Sequence, residues 1–520
     1  MNTESLQKTS EIREPDHEDK HKELLFRIAR NILSFFIRHR LIVIILVISF
    51  FLRWSLYRGI APNYFGDSDS YDRGAVSLLQ GNSLWSSYPR TPAYPAYLAF
   101  VYKLAGIKNR KAVVISQLFI LGLLNIMTLY ALGVRITGNK IIGALVALSF
   151  NLDFIIIQFD FAILTESLSG FLLLLSILML VKSAQERNLK WTIPSGIVMG
   201  ITAIVRPAFA PMLAPVFLFF LLGLVFQSKS GMEWKRIVIH SSIYVALSVL
   251  PCFIWLKGNQ SRGNGFSFSP FMMNAGLTNH VGLYFEKLPD EYAAIRDPYV
   301  NIRNERLTTI GGYYRAREKM FSGAQGLGIK TDKEFEKFMT KLCLRLIWDN
   351  PKLYWKTFWI AWDMMWANRF LMYFQPPESK ESTENLSRLQ KKIFWGFWIK
   401  NVEAGILQKN WFNKIQFKLF LISAILSSIL LWRERRRLME TLLVCAIVLT
   451  LSITTNALEL SENMRYRVPF QPLVVLICVC GAGLIFIYGA RLIFFRKRMD
   501  EKPSPKSTSG KRKKSKRATF

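Results

Sequence analysis

The chain has 520 residues, 51% of them hydrophobic and 14% aromatic, with a formal net charge of +32 at pH 7. Apolar content of that kind, gathered in long runs, excludes an ordinary soluble protein of this size. The charge suits a nucleic-acid binder in magnitude only: Arg38 and Arg40, Lys182 and Arg187, Lys229, Lys235 and Arg236, and residues 433–437 fall in alternate connections between apolar runs. That is the pattern of cytoplasmic segments in a membrane protein, so membrane lipids are expected partners and nucleic acid is not.

Residues 1–22 are polar and mixed in charge, which predicts a disordered cytoplasmic N-terminus with no cleavable leader. Residues 24–37 interleave Leu, Ile and Phe with Arg27 and Arg30, predicting a short amphipathic helix on the cytoplasmic face. Apolar runs then follow at residues 41–56, 112–132, 141–157, 161–181, 193–210, 212–226, 237–256, 415–432, 438–458 and 468–495. Read on the usual length criterion, these predict about ten transmembrane helices. An even number places both termini inside, in keeping with the basic tail at residues 511–517 beside anionic lipid.

The first connection, residues 65–97, reads FGDSDSYDRGAVSLLQGNSLWSSYPRTPAYPAY and carries acids, tyrosines and prolines where a plain connector is usual. It is the predicted active-site loop. Asp67 opens it, Tyr71 follows about one helical turn later, and the run from Arg90 through Tyr94 to Pro95 closes it.

Residues 258–413 leave the membrane as a long, mixed-charge, extracytoplasmic insertion, whose basic residues are tolerated because the charge rule governs short loops. Within it, Thr331 and Glu334 form a capping-box pattern ahead of a helix through Trp348, and Asp349-Asn350-Pro351 ends that helix and starts another. In the second, Trp355, Trp359, Trp362 and Trp366 recur at helical spacing as one indole stripe. An interfacial belt is the expected role, with a sugar-stacking platform as the alternative. Residues 376–392 read as a mobile loop, and residues 500–520 as a disordered basic tail.

Five cysteines show no metal-ligand spacing. Cys252 and Cys343 are expected to face outward, with a disulfide between them left open. No cofactor is predicted; Asp67 and Asp69 leave a divalent metal open, without a supporting ligand cluster. Neither a Gly-rich phosphate loop with Lys and Ser/Thr nor a strand-linked GxGxxG is present, which disfavours a nucleotide-driven pump.

Charge inside a membrane span is expensive, at least about 2.5 kcal/mol at mid-depth, so the exceptions carry information. On the predicted topology Asp67 lies outside after the first span, and Glu166 lies about 9 Å down the helix from a turn at Asp160. Arg206-Pro207 closes the fifth span on the same side, and Arg465-Tyr466-Arg467 precedes the last span there. Each has a purely structural alternative: helix capping for Asp67 or Asp69, a neutralising ion pair for Glu166 with Arg206, and snorkelling for Arg465 and Arg467. Their coincidence on one side favours a site. A carboxylate there suits proton removal from an attacking hydroxyl, and guanidinium forks suit phosphate oxygens. A lipid-linked sugar donor at the outer leaflet is the economical substrate.

The motifs Asp67 to Tyr71, Leu164-Thr165-Glu166, Arg206-Pro207 and Arg465-Tyr466-Arg467 ahead of Pro469, taken in order, resemble the C-type (GT-C) polyprenyl-phosphate-dependent glycosyltransferases, the group that holds protein O-mannosyltransferases and lipid A aminoarabinose transferases. The segment from Phe266 to Pro270 with Ala275 to Leu277 resembles the start of that group's outer loop after the seventh span. The resemblance implies that Asp67 is the base of an inverting transfer, that Glu166 is a second acid shaping the site, that Arg206 contacts the lipid phosphate, and that Tyr71, Arg90 and Tyr94 line the loop cavity. It departs from the group's Asp-Glu pair in having Ser68 after Asp67, which leaves Asp69 as a second candidate base.

The expected fold is an all-α polytopic membrane protein of about ten spans, with outer juxtamembrane helices and a large extracytoplasmic insertion. Its expected divisions are 1–22, a membrane module at 23–257 holding the catalytic loop, the outer region 258–413, C-terminal helices at 414–499, and the tail 500–520. The expected function is transfer of one sugar from a polyprenyl phosphate to a lipid, glycan or protein hydroxyl, in a bacterial inner membrane with the site facing outward, an organellar membrane being the alternative. An oligosaccharide ligase using a diphosphate-linked donor, a transporter or lipid flippase, and a scaffold without catalysis are the competing readings.

Overall fold

The computed structural model describes residues 39–60, 62–64, 66–87, 90–227, 231–262, 266–366, 415–460 and 463–500. The predicted amphipathic helix at 24–37, the loop at 376–392 and the basic tail lie outside them.

In chain order, α1 (Arg40–Gly59) is followed by α2 (Gly66–Leu79) and α3 (Ala93–Ala105), and then by α4 (Arg110–Thr137), which contains a π turn at Ser116–Leu121. Next come α5 (Lys140–Leu152), the short α6 (Phe154–Asp160), α7 (Glu166–Glu186) and α8 (Leu189–Val205). A 3-10 turn at Pro207–Met212 leads into α9 (Leu213–Gln227) and α10 (Gly231–Ser261). The insertion contributes α11 (Pro270–Val281), α12 (Ala293–Arg306), α13 (Gly312–Gln325), α14 (Asp332–Asp349) and α15 (Pro351–Trp366). The chain closes with α16 (Ile415–Leu430), α17 (Arg435–Leu458), α18 (Asn463–Arg467) and α19 (Gln471–Asp500). Among the described residues there is no β-strand, only an isolated bridge between Asn63 and Ala162.

Each of the ten apolar runs contains helix, and among the described residues six helices are long and apolar enough to cross a membrane: α1, α4, α7, α10, α17 and the run through α18 into α19. The runs in α5, α8, α9 and α16 make shorter apolar helices. The architecture is that of an all-α, polytopic integral membrane protein. Its largest core joins α4, α5, α7, α17 and α19 through Leu129, Val146, Leu173, Val444 and Leu476. Helices α4 and α5 approach backbone to backbone, because a Cβ on Gly133 would come within 2.9 Å of the Gly143 Cα.

Three expectations change. The apolar run 141–157 is not one helix. It breaks at Asp153, which leaves helical geometry (φ −79°, ψ 97°) and whose carboxylate accepts a hydrogen bond from Gln471 Nε2 at 3.1 Å. The 13-residue α5 is therefore about 20 Å long. Glu166 does not lie down a helix that starts near Asp160, because residues 161–165 form a turn and Glu166 is the first residue of α7. Finally, the prolines of the first connection hide a helix: α3 has Pro92 at its N-cap and Pro95 in its first turn, where a missing N–H costs nothing.

The insertion has its own core, built on Phe285, Tyr299, Tyr313, Met320, Phe335, Met339 and Cys343. The capping box at Thr331 and Glu334 forms as expected, and α14 stops at Asp349. Cys343 is buried in that core while Cys252 lies on α10 with its thiol directed at the Gly200 carbonyl, so both are free thiols rather than a disulfide. The indole stripe of α15 is divided. Trp355 and Trp359 are exposed, whereas Trp362 and Trp366 are buried in the membrane core and pack on Phe417 of α16.

His280 joins α11 to α15 within the insertion, sharing a hydrogen bond with Thr357 Oγ1 at 3.0 Å and lying against the Tyr354 ring. Burial pushes its pKa from the ordinary 6.5 down to about 4. The unfolded chain therefore binds more protons between those values, so stability falls as the pH drops from 6.5 toward 4. A lower melting temperature at pH 5 than at pH 7 is expected in the wild type, with a smaller difference in His280→Gln.

Candidate functional site

The site forms where two distant segments, residues 63–68 and residues 161–163, are laced together. Asn63 N–H donates to Phe161 O at 2.8 Å, Ile163 N–H donates to Asn63 O at 3.2 Å, and Ser68 Oγ donates to Ile163 O at 2.9 Å. These bonds bring the start of α2 onto the turn before α7, and so bring Asp67 toward Glu166. The turn is anchored from below. Asp160 pairs with the fully buried Arg53 of α1 at 2.7 Å and accepts from Ser167 Oγ at 2.6 Å. Gln117, inside the π turn of α4, donates to the carbonyls of Asp160 and Ala162 at 3.0 and 2.8 Å. A π turn offsets a helix by one residue, which is how such turns commonly aim a side chain at a functional region.

On α2, Asp67 and Tyr71 share one face because they are four residues apart. Asp69, two residues from Asp67, faces away and pairs with Arg73 at 3.0 Å on the surface. Asp67 Oδ1 accepts from Arg90 Nη2, and Asp67 Oδ2 accepts from Arg465 Nη1 at 2.8 Å. The Arg90 guanidinium lies over the Tyr71 ring at 5.2 Å. Arg465 Nε donates to Glu166 Oε1, and that same oxygen accepts from Arg206 Nη1 at 2.9 Å. Arg206 in turn lies over the Tyr466 ring at 4.5 Å. The sequence Arg90, Asp67, Arg465, Glu166, Arg206 is thus one continuous chain of alternating charge carrying one excess positive charge. Burial opposes ionisation of Asp67, but Arg465 and Arg90 outweigh it and hold its carboxyl below the ordinary carboxylate value.

This chain borders a cavity of about 480 Å³. Asp67, Tyr71, Arg90, Arg206, Arg465, Tyr466 and Glu459 supply polar groups to its wall, and Val205, Pro207, Leu256, Phe266, Phe268, Met272, Met273 and Leu458 supply apolar surface. Trp85 stacks on Trp255 of α10 at 5.9 Å beneath Arg262. A Cβ on Gly258 would collide with that indole at 2.2 Å, so only glycine fits there.

Of the residues expected at the site, the fold gathers Asp67, Tyr71, Arg90, Arg206, Arg465 and Tyr466 around the cavity, with Glu166 bound directly behind them. Tyr94 stands one layer back: its hydroxyl donates to Gln117 Oε1 at 3.1 Å and its ring meets Tyr71 edge-on. Asp69 is on the outer surface of α2. Arg467 is fully buried on the Trp366 ring, 5.4 Å from its centroid, and does not border the cavity. The residues that sequence reasoning passed over are Arg53, Gln117 and Asp160, which brace the turn, and Glu459, which lines the cavity. Among the described residues no group of three or more His, Cys, Asp or Glu side chains is placed to hold a metal.

The fold and the cavity define the class of an all-helical, polytopic integral membrane protein with a charged cavity. More particularly, residues 89–255 match the family model described as dolichyl-phosphate-mannose-protein mannosyltransferase, a stretch that takes in Arg90, Glu166 and Arg206. No curated protein matches the chain. Among solved structures, the archaeal oligosaccharyltransferase AglB from Archaeoglobus fulgidus, in complex with an inhibitory peptide and a dolichol-phosphate, is similar over 92% of this chain and 53% of its own, with 11% identity and a TM-score of 0.49. This chain therefore spans about half the length of that protein. ArnT from Cupriavidus metallidurans in the apo state is similar over 80% of this chain and 77% of its own, with 12% identity and a TM-score of 0.35.

Proposed function

We propose that this membrane protein is a glycosyltransferase that moves a single sugar from a polyprenyl-phosphate donor to a hydroxyl of a lipid, glycan or protein on the extracytoplasmic side of the membrane, with inversion at the anomeric carbon. The observation that carries the reading is Asp67 held between Arg90 and Arg465 at the wall of a cavity that is otherwise largely apolar. Arginines answer the phosphate, the apolar wall answers the first prenyl units, and the carboxylate answers the acceptor's proton.

The acceptor oxygen attacks the anomeric carbon as Asp67 takes its proton, and the bond from that carbon to the phosphate oxygen breaks. The leaving prenyl phosphate departs as an anion, so it needs cations rather than an acid. Arg90, Arg206 and Arg465 supply them. Asp67 competes with the phosphate for two of these guanidiniums. Each one turned toward phosphate leaves Asp67 more basic, so donor binding readies the base. Glu166 keeps Arg206 and Arg465 side by side, and Tyr71 carries Arg90.

The test is transfer by the purified chain in lipid, offered synthetic farnesyl-phosphate sugars and the matching farnesyl-diphosphate sugars with a simple alcohol acceptor. Transfer from the monophosphate, with NMR showing the inverted anomer, is expected. Transfer from the diphosphate alone favours the ligase reading, and transfer from neither contradicts the proposal.

A further inference from the structure

One residue pattern runs through the last two described helices of the insertion and takes no part in the cavity. On α14 it reads Lys341, Leu344, Arg345 and Trp348, and on α15 it recurs with the same spacing as Lys352, Trp355, Lys356 and Trp359. Steps of three, one and three put each set on one helical face. Both faces are open: Trp348 is 86% exposed, Trp355 and Trp359 are each 55% exposed and Leu344 53%, and the cations beside them are exposed as well. The opposite side of α14 carries Phe335, Met339 and Cys343 into the core of the insertion, so Leu344 and Trp348 are surplus to that packing. Large apolar groups gathered on one exposed surface mark a contact with something other than water.

What covers the face follows from where α15 leads. Within two turns of Trp359, Trp362 and Trp366 of the same helix are buried in the membrane core against Phe417 of α16, one of the apolar helices. Trp355 and Trp359 therefore stand at the edge of the membrane, the depth at which indoles concentrate. The cations lie between the indoles, and long basic side chains reach from that depth to the phosphate layer. Arg345 has Asp349 at 3.6 Å, an exposed pair of little strength. A sugar-stacking platform would need hydrogen-bond acceptors beside its indoles, whereas the neighbours within this pattern are cations, which only donate.

We propose that the paired face of α14 and α15 is a lipid-docking surface that seats the insertion on the bilayer and prefers anionic phospholipid. The contact bears on the cavity, because Asn274 Nδ2 of α11 donates to Glu336 O of α14 at 2.8 Å and the neighbouring Met272 and Met273 line the cavity wall. It stands independently of the prenyl-phosphate reading.

The experiment places photo-reactive benzoylphenylalanine at position 348 or, separately, at position 355 of the full chain. The protein is irradiated in nanodiscs of phosphatidylcholine and phosphatidylglycerol, and its adducts are read by mass spectrometry. Phospholipid adducts are expected at both positions. Among them the ratio of phosphatidylglycerol to phosphatidylcholine is expected to exceed that of the bilayer by about 5-fold or more, the increment one basic residue supplies near an anionic surface, and to fall at high salt. Combining Lys341→Gln, Arg345→Gln, Lys352→Gln and Lys356→Gln is expected to return the ratio to that of the bilayer while lipid adducts persist. Adducts to residues 367–414 give the face to that segment, adducts to a co-purified protein give it to a partner, and no adduct leaves it in water; each overturns the proposal. A ratio equal to that of the bilayer in the unmodified face, or an excess that survives the four replacements, overturns it as an anionic-lipid surface.

Discussion

Asp67→Asn is expected to slow sugar transfer by about 10²- to 10⁴-fold, the range that a positioned general base contributes, with little change in donor affinity. The amide keeps the shape and one acceptor oxygen for the guanidiniums but takes no proton. Asp69→Asn is expected to stay within about 2-fold of wild type, since Asp69 faces Arg73 on the outside of α2 rather than the cavity. Single-turnover rates with a synthetic donor separate the two. The acid limb follows from the same geometry. Arg465 and Arg90 hold the Asp67 carboxyl below its ordinary 3.8, so it is ionised throughout the neutral range. Its contribution to stability is fully present above 3.8 and is lost only as the pH falls through the lower folded value. Equal loss of rate in both variants, or full activity in Asp67→Asn, removes Asp67 as the base.

The second large effect belongs to Arg465, the one side chain bound to both acids. Arg465→Ala leaves Glu166, with no exposed side-chain surface, facing Arg206 alone. A loss of about 3 kcal/mol in stability is expected, at the low end for breaking a buried pair because one partner remains. Donor affinity should fall as well, because a phosphate contact goes with it. Arg465→Lys is not expected to restore either, since a single ammonium cannot present the planar fork that spans two carboxylates. Removing the opposing charge should compensate: Glu166→Gln combined with Arg465→Ala should be more stable than the sum of the single losses, a coupling measurable by thermal unfolding in detergent. Strict additivity contradicts the bridging role.

Much of this architecture is written in the chain. The ten apolar runs are visible because lipid demands long stretches without charge, and the acids and arginines that break the rule are visible for the same reason. The partnership of Glu166 with Arg206 is readable in that way, and the shared face of Asp67 and Tyr71 follows from helical spacing. What escapes is information that belongs to pairs. Arg53 and Asp160 neutralise each other across 107 positions, and no local pattern joins them. Asp153 is one acid in an apolar run, and its power to end α5 depends on Gln471 far along the chain. The prolines of α3 read as loop residues until the helix start is known to fall at Pro92. Glu459 looks like an ordinary acid after a span, and its bond to Asn279 of α11 shows only in the fold. Arg465 and Arg467, two residues apart, read as equivalent, yet the short α18 turns one to the cavity and the other onto Trp366.

The most direct test is mass spectrometry of prenyl-phosphate lipids and glycoconjugates from cells that have the protein, lack it, or carry only its Asp67→Asn form. Accumulation of a single-sugar prenyl phosphate in the absence of the protein and in the Asp67→Asn form, with loss of the matching sugar from one glycoconjugate, is the expected result and names the donor. Unchanged lipid and glycoconjugate pools under confirmed expression would contradict the transfer reaction proposed for this site.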